Sequence, residues 1–297
     1  MQAQIPRRIK VILNPNAGGG RAQKLFPLIK QKLLERQVPF QIQFSENAQH
    51  ASFLARQAQS EGFNIIASAG GDGTAHYILQ ALVGKRPALG FIPLGRGNDF
   101  PHNLGIGEDL EGALDTLIHG KIWRIDVLQI NSGPYIAGVG GIGFDSEVNA
   151  IANKWGRFFK NKAAYVFPVL LKILTYKPKK ITLRLDQEVI EGPILMVAFG
   201  NIKSYGKGMQ ITPLAELDDG FLDVCWIDPV HIFRLYRFFP LVFTGEHIDM
   251  PEVHYYRSTA VQVNSVQPLD LYGDGEFICR TPFSLRLIPQ ALRVLVP

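Results

Sequence analysis

Three apolar runs, each ending in a loop of glycine and polar residues, restrict this chain more than any other feature. Residues 8–13 lead into Asn14-Pro15-Asn16-Ala17-Gly18-Gly19-Gly20-Arg21, and residues 65–69 into Gly70-Gly71-Asp72-Gly73-Thr74. Residues 88–94 lead into Gly95-Arg96-Gly97-Asn98-Asp99-Phe100-Pro101. A short apolar run bounded by turn signals reads as a buried strand. In a parallel sheet such loops collect along the carboxyl edge, where open α/β sheets bind ligands. The middle loop is the most telling. Its glycines allow positive φ and a close approach of backbone N–H groups to a ligand. Asp72 can hold a cation or a hydroxyl, and Thr74 can cap the helix that follows. A glycine turn opening a helix suits phosphate. Singly, each loop would also serve as a β-turn with Gly for geometry and Asp as a cap. Three unrelated turns would not converge.

Strand patterns at 9–13, 40–44, 65–69 and 88–92 alternate with helical ones at 22–36, 50–61, 75–83 and 109–119. This order predicts an α/β domain with a mainly parallel sheet and helices on both faces. After Asp126 the texture changes to short β-like runs at 124–130, 135–139, 181–186, 189–199, 221–227, 259–264, 269–272 and 277–279. Turn residues separate them, which predicts a mainly-β domain, an antiparallel sandwich. Helical insertions near 146–175 and 229–244 interrupt it.

The 297 residues, 46% of them hydrophobic, suffice for one large or two ordinary cores. A formal charge of +5 fits anionic nucleotides or an anionic membrane face without demanding either. No basic-aromatic stripe or zinc-finger spacing argues for nucleic acid. Cys225 and Cys279 sit in apolar runs and read as reduced thiols of a cytoplasmic protein. Residues 1–10 lack the apolar centre of a signal peptide. The greasy stretches 163–176 and 232–244 fall short of the ~20 residues that span a bilayer. Lys154, Trp155, Arg157, Phe158, Phe159, Lys160 and Lys162 suit either a headgroup interface or a core helix with a charged face. Peripheral membrane contact is therefore an expectation, and a homodimer is left open. Gly138-Val139-Gly140-Gly141-Ile142-Gly143 fits the G-x-G-x-x-G pattern but has no clear βαβ unit around it. It reads as a close-packed strand and turn. The seven histidines show no metal spacing, and no Walker A pattern occurs.

Asn14-Pro15 followed by glycines, Gly70-Gly71-Asp72-Gly73-Thr74 and Gly97-Asn98-Asp99-Phe100 resemble the diacylglycerol-kinase catalytic-domain family. That family includes soluble bacterial lipid kinases, sphingosine kinases and ceramide kinases. The resemblance continues through the segment from Ala137 to Asp145, Gly200-Asn201, Tyr205-Gly206, the segment from Pro213 to Asp223, and Gly273-Asp274-Gly275-Glu276. It covers nearly the whole chain in the family's order. It implies a nucleotide-binding domain over 1–126, rejoined by 284–297, and a β-rich lipid-substrate domain over 127–283, with the active site in the cleft between them. It implies a lipid kinase using ATP and Mg2+, which takes its lipid substrate from a membrane. Diacylglycerol is the default acceptor by family name, with sphingoid bases, ceramide, phosphatidylglycerol and polyprenols open. NAD kinase shares the Gly-Gly-Asp-Gly turn, but Gly97 to Phe100 and Asp274-Gly275-Glu276 favour the lipid branch. A nucleotide- or lipid-binding protein without turnover is a third reading.

The same resemblance assigns roles. Asp72, Asp99 and Asp126 match the acids that organise the catalytic magnesium, and Glu276 the proton acceptor for the lipid hydroxyl. Asp126 would also suit a plain hydrogen bond, and Glu276 a hairpin turn. Nucleotide contacts are implied at Asn14, Pro15, Asn16, Ala17, Gly18, Ser45, Gly71, Asp72, Gly73, Thr74, Ala75, His76, Tyr77 and Arg96. Ser45 stands where the family usually has threonine. His76-Tyr77 replaces Asn-Glu, and Arg96 replaces threonine. Arginine is a good phosphate ligand, whereas Tyr77 cannot act as a carboxylate. Glu216, Asp219 and the carbonyl of Phe221 match a second, structural magnesium site. An oxygen-only set fits Mg2+ or Ca2+ and argues against zinc, although an acidic turn would look the same.

Overall fold

A computed structural model describes residues 6–155 and 175–297. Contacts divide the chain into two units, Met1–Val127 with Pro289–Pro297, and Leu128–Ile288.

In the first unit the order is β1 (Ile9–Leu13), α1 (Arg21–Glu35), β2 (Phe40–Phe44), α2 (Ala48–Ser60), β3 (Ile65–Gly70), α3 (Asp72–Leu82), β4 (Ala88–Pro93), a short α4 (Asp99–Asn103), α5 (Leu110–His119) and β5 (Lys121–Ile130). Strands lie in the order β2-β1-β3-β4 and pair in parallel. Every residue of β1, β3 and β4 is buried, as expected of parallel strands covered on both faces. Side-chain caps mark two helix starts: Asn47 accepts from His50 N–H, and Asp109 from Gly112 N–H. Gly90 lets α5 press onto β4, since a Cβ there would lie 2.2 Å from a Leu117 methyl.

The second unit contains β6 (Tyr135–Ile136), β7 (Val139–Gly143), α6 (Phe144–Trp155), β8 (Lys179–Arg184), β9 (Val189–Ile194), β10 (Met196–Gly200), β11 (Leu222–Ile227), α7 (Ile232–Thr244), β12 (Val253–Ser258), β13 (Ala260–Ser265), β14 (Asp270–Gly273), β15 (Glu276–Arg280) and the opening residues of β16 (Phe283–Val296). One antiparallel sheet runs β12-β11-β10-β7-β14-β15, and a second antiparallel set runs β16-β13-β8-β9. Residues from both sets, including Phe199, Trp226, Leu183 and Phe283, form one buried core. The last residues of β16 pair in parallel with β4 of the first unit's sheet, at Val294 and Leu89.

The α/β half with its parallel sheet and the antiparallel β half are thus both present. Local differences have physical causes. The single run expected over 189–199 is two strands, because the chain passes from one sheet to the other at Leu195, whose N–H bonds Ile227 O. The basic-aromatic segment from Arg157 to Lys162, and most of the stretch after it, lie outside the described residues. Among the described residues no helix is long and apolar enough to cross a membrane. Cys225 and Cys279 are free thiols.

Candidate active site

The loops after β1, β2, β3 and β4 stand side by side because those strands are neighbours in one parallel sheet. Ser45, just past β2, is buried, and its N–H donates to Leu13 O at 2.9 Å. Asn14, just past β1, donates from Nδ2 to Thr74 Oγ1 at 3.1 Å and accepts from Asn16 N–H at 3.0 Å. The loop then turns through Gly18, Gly19 and Gly20 with φ of 62°, 71° and 93°. Three consecutive left-handed residues demand glycine here. Gly18 carries a second demand, since its Cβ would fall 2.5 Å from Leu94 O. Beside the turn stands the exposed Arg96, one guanidinium nitrogen 3.7 Å from where a Gly19 Cβ would project. A positive charge beside a glycine turn is suited to an anionic ligand.

The expectation that Gly70, Gly71 and Gly73 supply positive φ is corrected, because none of them has it. Gly70 and Gly71 are needed for space. A Cβ on Gly70 would meet Thr74 Oγ1 at 2.5 Å, and one on Gly95 would meet Gly71 Cα at 2.4 Å. The ends of β3 and β4 therefore touch backbone to backbone. Thr74 is not a cap either. The helix begins at Asp72 with Gly71 as its N-cap, so Thr74 lies inside the first turn and its hydroxyl serves Asn14. His76 is buried within α3 and meets Tyr77 edge-on, with ring centroids 5.4 Å apart.

Asp72 and Asp99 are brought together around Gly97. A Cβ on that glycine would lie 2.8 Å from Asp72 Oδ2 and 3.4 Å from Asp99 Oδ2. Asp72 is held from two sides, accepting from Asn98 N–H at 2.8 Å and Phe100 N–H at 3.1 Å. Asn98 sustains this turn in a left-handed conformation, φ 60°, with its own Oδ1 accepting from Gly95 N–H. Burial raises the Asp72 carboxyl above its ordinary range and the Asp99 charge adds to this, while the Phe100 and Asn98 N–H groups oppose it. Two adjacent carboxylates around a small cradle fit a hard cation that shares them with waters and phosphate. Asp126 is fully buried in β5, with one oxygen accepting from Gln290 N–H at 2.7 Å. Gln290 is itself left-handed, φ 50°, so this bond holds an unusual backbone conformation within β16. Among the described residues no group of three or more His, Cys, Asp or Glu is gathered to hold a metal ion.

In the second unit Glu276 opens β15, opposite Gly273 across the hairpin. Gly138, Gly140 and Gly141 are required by packing, with Asp274, Ile136 and Asp145 respectively against their missing Cβ atoms. The close-packed reading of this segment therefore describes it, and the dinucleotide pattern is coincidental. Asp145 and Tyr205, sixty residues apart in the chain, meet in a 2.8 Å hydrogen bond that sequence reasoning did not foresee. Burial pushes the Asp145 carboxyl up to about 6, against the favourable Tyr205 hydroxyl. A carboxyl raised on folding binds more protons folded than unfolded, so its contribution to stability falls as pH rises towards 6. Asp145→Asn is therefore expected to melt higher than the parent at neutral pH. The gap should close as pH falls towards the ordinary carboxylate range, which paired melting curves across pH would show.

Asp219 accepts from Phe221 N–H at 3.0 Å and pairs through its other oxygen with Arg257, whose guanidinium lies 4.6 Å from the centre of the Phe221 ring. Asp223, to which the sequence assigns no role, is completely buried. Among the described residues neither of its oxygens has a hydrogen bond, although the Tyr255 hydroxyl stands near enough to favour the carboxylate. Burial pushes Asp223 up to about 6; Tyr255 and Arg257 oppose this, and the Asp219 and Glu216 charges add to it. Asp223 thus stands as a buried acid beside Glu216 and Asp219, with Arg257 paired to Asp219 and its Nε 4.0 Å from Asp223 Oδ1.

Residues 8–130 match the family model described as the diacylglycerol kinase catalytic domain, and residues 138–296 the one described as the YegS C-terminal NAD kinase beta sandwich-like domain. A diacylglycerol kinase of Mycobacterium tuberculosis (strain ATCC 25618 / H37Rv) is 32% identical over 296 residues, covering 98% of this chain and 95% of that protein. The chain belongs to the diacylglycerol-kinase catalytic-domain family. Another relative, a diacylglycerol kinase of Bacillus subtilis (strain 168), is 27% identical over 294 residues, with 98% and 97% of the two chains covered. The crystal structure of a diacylglycerol kinase from Bacillus anthracis str. Sterne shares the fold with a TM-score of 0.81 at 21% identity, covering 99% of each chain. Membership in this family makes the chain a kinase, and a kinase of this family implies ATP as phosphate donor, usually with a divalent cation.

Proposed function

We propose that this protein is an ATP- and Mg2+-dependent lipid kinase that transfers the γ-phosphoryl group to the hydroxyl of a diacylglycerol-like lipid. The observation that carries this reading is the Asp72–Asp99 pair around Gly97, in a chain whose curated relatives bear the name diacylglycerol kinase. Phosphoryl transfer depends on positioning and charge neutralisation more than on covalent chemistry. In this reading Asn14 to Gly18, Ser45, Gly71 to Tyr77 and Arg96 hold the nucleotide, with Arg96 drawing on the phosphates. Asp72 and Asp99 hold the catalytic cation with Asp126 supporting, and Mg2+ there would neutralise charge on the transferring phosphate. Glu276 accepts the proton of the lipid hydroxyl. The lipid is drawn from a membrane by a protein that works in the cytoplasm.

The deciding experiment incubates the protein with ATP, Mg2+ and lipid extracts, and identifies phosphorylated species by mass spectrometry. A phosphorylated diacylglycerol is the expected product. Consumption of ATP with NAD and with no lipid would favour the NAD kinase reading, which the name of the second matched domain motivates. No ATP consumption with any acceptor would favour a silent binding protein. Glu216, Asp219 and the Phe221 carbonyl are proposed to hold a second, structural Mg2+. Removing divalent ions with EDTA should lower the melting temperature of the parent. It should leave that of Asp219→Asn nearly unchanged.

A further inference from the structure

We infer that Asp274 is a positioning residue that sets the place of Glu276, an inference that rests on the kinase reading above. Asp274 and Gly275 form the two-residue turn between β14 and β15, with φ of 51° and 83°. Paired left-handed residues make the turn type that matches the twist of a hairpin, and Asp-Gly is among its preferred sequences. The Asp274 side chain does more than tolerate the turn. Its Oδ1 accepts from Gly138 N–H at 2.9 Å, and its Oδ2 accepts from Ala137 N–H at 3.2 Å. Its own N–H donates to Val139 O at 3.0 Å. The hairpin tip is thus fastened at three points to the chain entering β7.

The anchor is held from its other side. Asn201, fully buried, donates from its N–H to Gly138 O at 2.9 Å and from Nδ2 to Ala137 O at 3.2 Å. Both N–H groups and both carbonyls of Ala137 and Gly138 are therefore engaged. Gly138 must be glycine, because a Cβ would lie 2.6 Å from Asp274 Oδ1. The ladder between β7 and β14 pairs only Tyr272 with Gly141 and Gly273 with Gly140. The Asp274 contacts extend this short ladder to the hairpin tip. Glu276 follows two residues later, and the turn fixes where its carboxylate begins. Two backbone donors call for a group with two acceptor oxygens, which a carboxylate has and an amide lacks. Asparagine would keep one bond and set its NH2 group against the other N–H.

Two measurements on the full-length protein test this. Hydrogen exchange at the Ala137 and Gly138 amides should be slow in the parent and at least about tenfold faster in Asp274→Asn, as expected of amides losing their acceptor. Asp274→Asn should lower kcat roughly 10- to 100-fold, as a displaced catalytic group does, with the KM for ATP within about twofold. In a Glu276→Gln background the same substitution should lower kcat by less than about threefold, because the group it places is already gone. If Asp274→Asn does not fold, Asp274→Glu, with both acceptors on a longer arm, carries the same comparison. Unchanged exchange at residues 137 and 138 overturns the inference, and so does an equal loss of kcat in both backgrounds. Parental activity in Glu276→Gln with accelerated exchange in Asp274→Asn overturns the kinase reading of Glu276 instead, and the positioning role falls with it.

Discussion

Asp72→Asn should lower kcat/KM for lipid phosphorylation by about 10²- to 10³-fold, the scale seen when one preorganised electrostatic contact is lost. Two effects combine. The substitution removes one of two charges placed around Gly97, so the pair loses its pull on a cation. It also turns an amide NH2 towards either Asn98 N–H or Phe100 N–H, each of which now donates to a carboxylate oxygen. One of those bonds is lost, and the left-handed turn at Asn98 loses a support. Stability should move much less than activity. Burial and the Asp99 charge already raise the Asp72 carboxyl, so the neutral amide relieves a strained ionisation while it costs a hydrogen bond worth about 1 kcal/mol. Asp99→Asn should lower activity comparably, and the double variant should be little worse than either, since the acids act as a pair. Steady-state kinetics with melting curves would check this. Parental turnover in both single variants would mean that the pair serves the turn alone.

The parallel half was legible because its strands are buried on both faces and read as unbroken apolar runs. The carboxyl-edge loops followed from that topology. What the glycines do there was only half legible. Gly18 to Gly20 have the positive φ that composition predicts, whereas Gly70, Gly71 and Gly95 answer to neighbours across the sheet, which no local pattern reveals. The antiparallel half was harder. Strand β12 escaped notice because His254, Tyr255, Tyr256 and Arg257 show no clean alternation, and its pairing with β11 supplies the order instead. Asp145, Asp223 and Asp274 stand in the motifs quoted from the sequence, but their contacts were hidden for one reason. Their partners Tyr205, Arg257 and Gly138 lie 60, 34 and 136 residues away in the chain, so only the tertiary fold brings them into view.

Glu276→Gln should retain the fold and lower kcat by roughly 10²- to 10³-fold. The amide is nearly isosteric, and the Asp274-Gly275 turn that precedes it is fastened through the Asp274 carboxylate. In the proposed reaction, what is lost is the capacity to take up a proton. The size of the effect follows from the timing of that proton. In a loose phosphoryl-transfer transition state the acceptor oxygen has made little bond, its proton leaves late, and the base contributes towards the middle of its usual range. The KM for ATP should change by less than about twofold, because removing a group that acts only in the transition state lowers kcat alone. A lipid whose acceptor hydroxyl is made more acidic by neighbouring fluorine needs less help from a base. It should therefore be phosphorylated by Glu276→Gln with a smaller deficit than the natural acceptor. Kinetics on both acceptors distinguish a lost base from a disturbed site, since disturbance would slow the two equally. Parental kcat on the natural lipid would reduce Glu276 to the first residue of a hairpin strand.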